Sequence, residues 1–231
     1  MLKDTITTVV FDADDTLWIN EPYFQEAEKL FCELMEDYLP QHSTAQELFK
    51  TEMQNLSLYG YGVKGFMLCM VETAIRITNG NANIDLAEKV IQIGKVLLQK
   101  PIELLPGVVE TLKQLQGKFR LVVATKGDLL DQENKLKQSG LEPYFHHIEI
   151  MSDKQVGNYQ KLIKHLDCKA ENFLMLGNSI KSDILPVLEL GGFAAHTPYH
   201  VTWQHERYEA RVEHERFFEL QSINEILTYL L

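Results

Sequence analysis

The sequence predicts an α/β fold, in which a parallel β-sheet carries helices on both faces and a separate helical block is inserted near the start of the chain. Short apolar runs alternate with helical patterns over most of the chain, which is typical of a parallel sheet. A long stretch after the first apolar run contains helical patterns only. The 231 residues are enough for one such domain with a smaller inserted one.

Five apolar runs are the predicted strands, and a sixth near the C-terminus is a candidate edge strand. The first run, TTVVF, is rich in β-branched residues and stops at Asp12, as a buried strand would. The runs cover residues 7–11, 120–124, 147–151, 173–177, 192–196 and 217–220. Ligands bind such sheets at the carboxyl ends of the strands, so the residues that follow these runs are the candidate site residues.

Helical patterns fill the segments between the runs. The predicted core helices span 129–138, 159–166 and 184–190, and the capping box SINE predicts a last helix that ends at Leu231. Within residues 19–100, four helices are predicted at 23–38, 44–55, 65–78 and 84–99. We interpret 19–100 as an α-helical cap over the carboxyl edge of the sheet, and 1–18 with 101–231 as the core domain.

Charge and cysteine content restrict the partners and the compartment. The net charge of −11, from 33 acidic and 22 basic residues, argues against nucleic acid or an anionic membrane as the main partner. The three cysteines form no CxxC motif, which favours reduced thiols. Acidic residues near the N-terminus do not suit a signal peptide, and no apolar run reaches membrane-spanning length. We therefore predict a cytoplasmic protein.

The segment FDADDTLW at residues 11–18 is the strongest sign of chemistry. Asp12 and Asp14 follow a buried strand two positions apart, so their carboxylates can point the same way. Like charges that are close push their pKa values apart, so that one carboxylate can attack phosphorus while the other transfers a proton. Thr16 can hold the turn and bind phosphate oxygens. Alternatively, the segment is an ordinary polar turn with an aspartate cap.

The ends of three later strands supply matching polar residues. Thr125 and Lys126 follow the second run, and Lys154 follows the third as a compact positive charge. All three are candidate phosphate-binding residues. Lys126 could instead be solvated. Asn178 and Asp183 follow the fourth run, and together with Asp12 and Asp14 they form an all-oxygen ligand set that suits Mg²⁺ better than zinc.

With these residues in place, the whole chain resembles a haloacid dehalogenase-like hydrolase. The family motif DxDxT matches Asp12, Asp14 and Thr16; the Thr or Ser motif matches Thr125, and the lysine motif matches Lys154. Lys161 and Lys164 are weaker matches for that lysine. The fourth motif, GDxxxD or GDxxxxD, matches Gly177 and Asp183, with Asn178 in place of the first acid.

The resemblance implies a Rossmann-like core, a helical cap and a Mg²⁺-dependent phosphatase acting on a small phosphorylated metabolite. Asp14 favours phosphate over halide, because a departing halide needs no proton. Three functions stay open: a phosphatase, a phosphotransferase that uses the same aspartate pair, and a binding module without chemistry. The family also leaves open whether Asn178 or Asp183 is the direct metal ligand.

Other residues are assigned structural roles. The adjacent histidines His146 and His147 should point to opposite faces of a strand, which does not favour a metal site. Trp18 is predicted to be a packing residue, and the charged run 206–219 an exposed helix face.

Overall fold

The computed structural model describes residues 2–231, and in this part of the chain six parallel strands form one sheet. The strand order is β3-β2-β1-β4-β5-β6. The strands are β1 (Thr8–Phe11), β2 (Arg120–Lys126), β3 (His147–Met151), β4 (Phe173–Gly177), β5 (Phe193–His196) and β6 (Phe217–Glu219). The α/β prediction is confirmed, and each predicted run corresponds to a strand.

The centre of the sheet is buried on both faces because the middle residues of β1, β2 and β4 are apolar and buried. Side chains alternate: Val9 and Phe11 pack on one face, whereas Val10 packs on the other. Register brings Phe11 level with Val123 of β2 and Leu176 of β4. The residues that follow these three strands therefore meet at one edge.

Helices cover both faces of the sheet. Leu112 and Leu136 pack on the Phe11 face, and Leu162 and Val187 on the Val10 face. The helices that pack around the sheet are α1 (Leu2–Thr5), α6 (Val108–Leu115), α7 (Leu129–Ser139), α8 (Val156–His165), α9 (Leu185–Glu189) and α10 (Leu227–Leu230).

Four details differ from the sequence predictions. Helix α6 was not predicted. The predicted helix 184–190 is a π-helical turn, Ile180–Ile184, followed by α9. The SINE segment starts a 3₁₀ turn, Ile223–Ile226, in which the Ser222 hydroxyl does not cap the helix. The charged run 206–219 is not an exposed helix, since it leads from the 3₁₀ turn Gln204–Glu206 through irregular chain into β6.

The chain divides into two compact units. The sheet unit comprises residues 2–21, 102–126 and 132–231, and the helical unit comprises 22–101 with 127–131. The helices of the helical unit are α2 (Glu21–Leu34), α3 (Gln41–Tyr59), α4 (Val63–Ile77) and α5 (Ile84–Leu98). They enclose a separate apolar core that includes Phe31, Leu48, Met70 and Val90. That this unit acts as a cap stays a prediction.

Within residues 2–231, no helix combines the length and the apolar character needed to cross a bilayer.

Candidate active site

Asp12 lies directly after the central strand β1 and is fixed by three contacts. Its backbone N–H donates to the carbonyl of Leu176 at 2.8 Å, which continues the pairing with β4. Its Oδ2 accepts a hydrogen bond from the Thr16 hydroxyl at 2.8 Å, and its Oδ1 accepts one from the ammonium of Lys154. The side chain is 9% exposed, so the carboxylate is nearly buried. The contacts with Thr16 and Lys154 fix its orientation.

Lys154 joins Asp12 to Asp183. Its Nζ donates to Oδ1 of Asp183 at 2.7 Å, and the side chains of Lys154 and Asp183 are each 1% exposed. The other oxygen of Asp183 accepts from the Ser179 N–H at 3.0 Å. A Cβ at Gly177 would lie 2.2 Å from this oxygen, so only glycine leaves room for the Asp183 carboxylate. Lys154 is therefore a buried cation shared by two carboxylates.

Burial and charge act in opposite directions on the pKa values of this group. Burial raises the pKa of the Asp12 carboxyl to about 7, although the charge of Lys154 opposes this effect. Burial alone would lower the pKa of Lys154, but the charges of Asp12 and Asp183 outweigh it and raise the pKa. Lys154 therefore stays protonated.

Asp14 has a different set of partners from Asp12. Its Oδ1 accepts from the Trp18 indole N–H at 2.7 Å and from the Lys135 ammonium at 3.0 Å. Its Oδ2 accepts from the Gln132 amide at 3.2 Å. Its side chain is 23% exposed, more than that of Asp12, and so the two aspartates have distinct environments.

The end of β2 is joined to the site on two sides. The Gln132 amide donates to the Thr125 hydroxyl at 2.6 Å as well as to Asp14. The Lys126 ammonium donates to the Ser182 hydroxyl at 2.9 Å and forms an ion pair with Glu206. Lys126 is therefore not a solvated surface lysine.

Glu206 holds the other end of this ion pair. Its carboxylate accepts hydrogen bonds from Lys126, Ser179 and Ser182, the last at 2.7 Å. Burial alone would raise the pKa of Glu206, but the Lys126 charge and these hydrogen bonds lower it to about 2. Glu206 thus joins β2 to the π-helical turn that carries Asp183.

The Thr16 hydroxyl lies between the Asp12 carboxylate and Asn178. The Asn178 N–H donates to the Thr16 hydroxyl oxygen at 3.1 Å, and the Asn178 Oδ1 lies 3.4 Å from that oxygen. The His196 ring lies 3.0 Å from the Asn178 carbonyl oxygen. Carboxylate and amide oxygens of Asp12, Asp183 and Asn178 are the donors that Mg²⁺ prefers, so these residues fit the predicted metal.

The structure brings most predicted site residues to one edge of the sheet. Asp12, Thr16, Lys154, Asn178 and Asp183 are linked by direct contacts, and Gln132 links Thr125 to Asp14. The alternative lysines Lys161 and Lys164 are exposed on α8.

Sequence reasoning missed four residues that contact the site: Trp18, Gln132, Lys135 and Glu206. Trp18 is buried as predicted, but its indole N–H also fixes Asp14. Gln132 and Lys135 lie three residues apart in α7, hence on one face of the helix, and this spacing was a usable signal. Glu206 stood in a charged run that gave no such signal.

Asp15, between the candidate site residues Asp14 and Thr16, has a structural role. It has a φ of 59°, and its carboxylate accepts the backbone N–H groups of Asn20, at 2.8 Å, and of Glu21. Burial raises its pKa to about 7. Asp15 thus fixes the chain where it leaves the turn.

Comparison with known proteins identifies relatives over most of the chain. The sequence model of haloacid dehalogenase-like hydrolases matches residues 6–191. The glyceraldehyde 3-phosphate phosphatase of Methanothermobacter thermautotrophicus is 26% identical over 195 residues, which cover 80% of this chain and 83% of that protein.

Solved structures agree with these sequence matches. A haloacid dehalogenase-like family hydrolase from Xanthomonas campestris is 36% identical, with a TM-score of 0.87 over 98% of this chain and 92% of that one. A 2-haloacid dehalogenase from Pseudomonas syringae is 17% identical, with a TM-score of 0.67 over 97% and 98% of the two chains. The second likeness concerns the fold alone.

Proposed function

The chain belongs to the haloacid dehalogenase-like hydrolase family, and we propose that it is a phosphatase that hydrolyses a small phosphomonoester through an aspartyl-phosphate on Asp12. The observation that carries this proposal is the buried Asp12 carboxylate, which is oriented by Lys154 and Thr16 at the end of the central strand. The relative named as a glyceraldehyde 3-phosphate phosphatase supports a small phosphorylated substrate.

In the first step, a carboxylate oxygen of Asp12 attacks phosphorus, and the bond from phosphorus to the leaving oxygen breaks. Asp14 donates a proton to that oxygen, so the product leaves as an alcohol. Thr16 and Lys154 hold Asp12 in one orientation, which lowers the entropic cost of the attack. The ammonium of Lys154 also offsets the negative charge that the incoming phosphate brings.

In the second step, water attacks the phosphorus of the aspartyl-phosphate. Asp14, now ionised, takes a proton from this water, and the bond between phosphorus and Asp12 breaks to release inorganic phosphate. Trp18, Gln132 and Lys135 keep the Asp14 carboxylate in place through both transfers.

Phosphate oxygens are proposed to bind at Thr16, Thr125 and Lys154. The Thr125 hydroxyl accepts from Gln132, so its proton is free to be donated to a phosphate oxygen. Lys126 was predicted to bind phosphate as well. Because its ammonium is paired with Glu206 and Ser182, we propose that it positions the end of β2 instead.

Asp12, Asn178 and Asp183 are the proposed Mg²⁺ ligands. Bound Mg²⁺ would neutralise charge on the phosphoryl group as it transfers. The carboxylates of Asp12 and Asp183 would balance the two positive charges of the cation. The ammonium of Lys154 would then balance negative charge on the phosphate.

Asp14 stays a predicted fourth ligand, since the oxygens of Asp12 and Asp183 also accept hydrogen bonds. Its side chain is held by Trp18, Gln132 and Lys135, and we assign it to proton transfer.

Asp14 also favours phosphate ester over halide, because an alkoxide needs a proton to leave whereas a halide ion does not. The fold shared with a 2-haloacid dehalogenase does not decide between these reactions, because one fold serves several chemistries.

The test is phosphate release from a panel of phosphorylated metabolites with Mg²⁺. Asp12→Asn should lose several orders of magnitude in rate with an unchanged circular dichroism spectrum, because the variant lacks the nucleophile. Asp37→Asn, on the exposed surface of the helical unit, is the matched control. A tenth or more of the wild-type rate in Asp12→Asn would remove Asp12 from the reaction. Transfer of the phosphoryl group to an added alcohol would indicate a phosphotransferase. If no substrate in the panel is turned over, the result would indicate a binding module.

A further inference from the structure

A second polar cluster lies on the outer strand of the sheet, away from the catalytic aspartates. It consists of His147 and Glu149 on β3 and His165 in the last turn of α8. One nitrogen from each imidazole and one carboxylate oxygen all lie within 4.8 Å of one another. Strand β2 separates β3 from β1, which places β3 roughly 10 Å from β1 in the plane of the sheet.

Local structure explains why these three side chains meet. His147 and Glu149 are two residues apart on one strand and therefore share a face. Helix α8 follows β3 in the chain and ends at His165, whose ring contacts the His147 ring edge-on at a centroid distance of 5.8 Å. His146, one residue earlier, makes a different contact, since its Nδ1 accepts from the Leu121 N–H at 3.1 Å. His146 and His147 thus have different contacts, and the prediction that they point to opposite faces does not exclude a site at His147.

Two of the donor separations lie on either side of the spacing between ligands of a bound metal ion. His147 Nε2 lies 2.8 Å from Oε2 of Glu149, and His165 Nδ1 lies 3.8 Å from the same oxygen. Ligands bound at the distances typical of zinc, around a tetrahedron, are about 3.4 Å apart. Shifts of about half an ångström would bring both separations to this value, and the His165 side chain, which is 73% exposed, has room to move.

We propose that His147, Glu149 and His165 bind a divalent transition-metal ion of the zinc type. Two imidazole nitrogens and one carboxylate suit such an ion, whereas Mg²⁺ prefers oxygen ligands. Three protein ligands leave a fourth position for water. The ion would clamp the end of α8 to the edge strand, and the net charge of −11 favours its approach.

The competing explanation is a hydrogen bond alone between His147 and Glu149, for which 2.8 Å is also an ordinary length. The two explanations differ in whether His165 is required. A metal site needs this residue as a ligand, whereas the hydrogen bond does not.

The experiment is calorimetric titration of the full chain with Zn²⁺, after treatment with a chelator and in excess Mg²⁺, which occupies the catalytic carboxylates. We expect one Zn²⁺ per chain. His147→Ala and His165→Ala should each weaken this binding by at least about tenfold, since each removes one of three ligands. His42→Ala removes an exposed histidine of the helical unit and should leave binding unchanged.

Two further measurements complete the test. Co²⁺ should give the visible absorption of a site with low coordination number in the wild type but not in His165→Ala. Zn²⁺ should raise the melting temperature of the wild type more than that of His165→Ala, because a ligand stabilises the state that binds it. The proposal is overturned if the wild type does not bind Zn²⁺ in excess Mg²⁺, or if His165→Ala binds it as tightly as the wild type.

Discussion

Glu206→Gln is the substitution whose effect can be worked out most fully from the structure. Glutamine has nearly the same shape as glutamate but no charge, so the variant mimics a permanently protonated Glu206. It removes the ion pair with Lys126 and weakens the hydrogen bonds from Ser179 and Ser182. The side chain is only 12% exposed, so water screens little of this interaction.

The magnitude follows from the pKa of Glu206. A fall from 4.5 to about 2 corresponds to about 3 kcal/mol of stability at neutral pH, at about 1.4 kcal/mol per pKa unit. The folded-state pKa is below the unfolded value, so this stability is present above 4.5 and is lost as the pH falls towards 2. At about pH 3 roughly half of it, about 1.4 kcal/mol, should remain.

The assay is urea unfolding of wild type and Glu206→Gln with a chelator, at about pH 7 and about pH 3. The difference in free energy of unfolding should be about 3 kcal/mol at the higher pH and fall by about half at the lower. Glu171→Gln is the control, because that side chain is 60% exposed beside Lys169 and should contribute less than about 1 kcal/mol. A difference that is equal at both pH values would refute the reasoning.

Three further predictions concern the reacting groups. Asp14→Asn should slow hydrolysis of sugar phosphates far more than that of an aryl phosphate, whose leaving group needs no proton; equal losses would make Asp14 a structural residue. Asp183→Ala should raise the Mg²⁺ concentration needed for half-maximal rate at least about tenfold, whereas Asn178→Asp should be tolerated, and an unchanged requirement in Asp183→Ala would contradict the metal site. Lys154→Met should lower the free energy of unfolding by about 3–5 kcal/mol, because it leaves two buried carboxylates without their cation, and a loss below about 1 kcal/mol would count against this.

The fold could be predicted from the sequence because strand burial and strand sequence are directly related. The run TTVVF contains only β-branched and apolar residues because β1 is buried at every position between two covered faces, and this pattern is visible in the sequence alone. Helix α6 was also within reach, since Val108, Thr111, Leu112 and Leu115 are buried at helical spacing.

The grouping of the candidate site residues could be predicted because strand topology brings them together. Asp12, Lys154 and Asp183 are far apart in sequence, but each follows a strand at the same edge of one sheet. Glu206 could not be predicted in this way, because it lies outside any strand or long helix. Its burial depends on Lys126, 80 residues earlier, and no local pattern encodes that contact.

The central claim is that Asp12 carries the phosphoryl group, and Asp14→Asn offers the most direct test. With an aryl phosphate this variant should form the aspartyl-phosphate but hydrolyse it slowly, because no base activates water. Mass spectrometry after an acid quench should find one phosphoryl group on the peptide that contains Asp12, and none in the double variant Asp12→Asn/Asp14→Asn. A phosphoryl group on another residue, or the same label in the double variant, would contradict the claim.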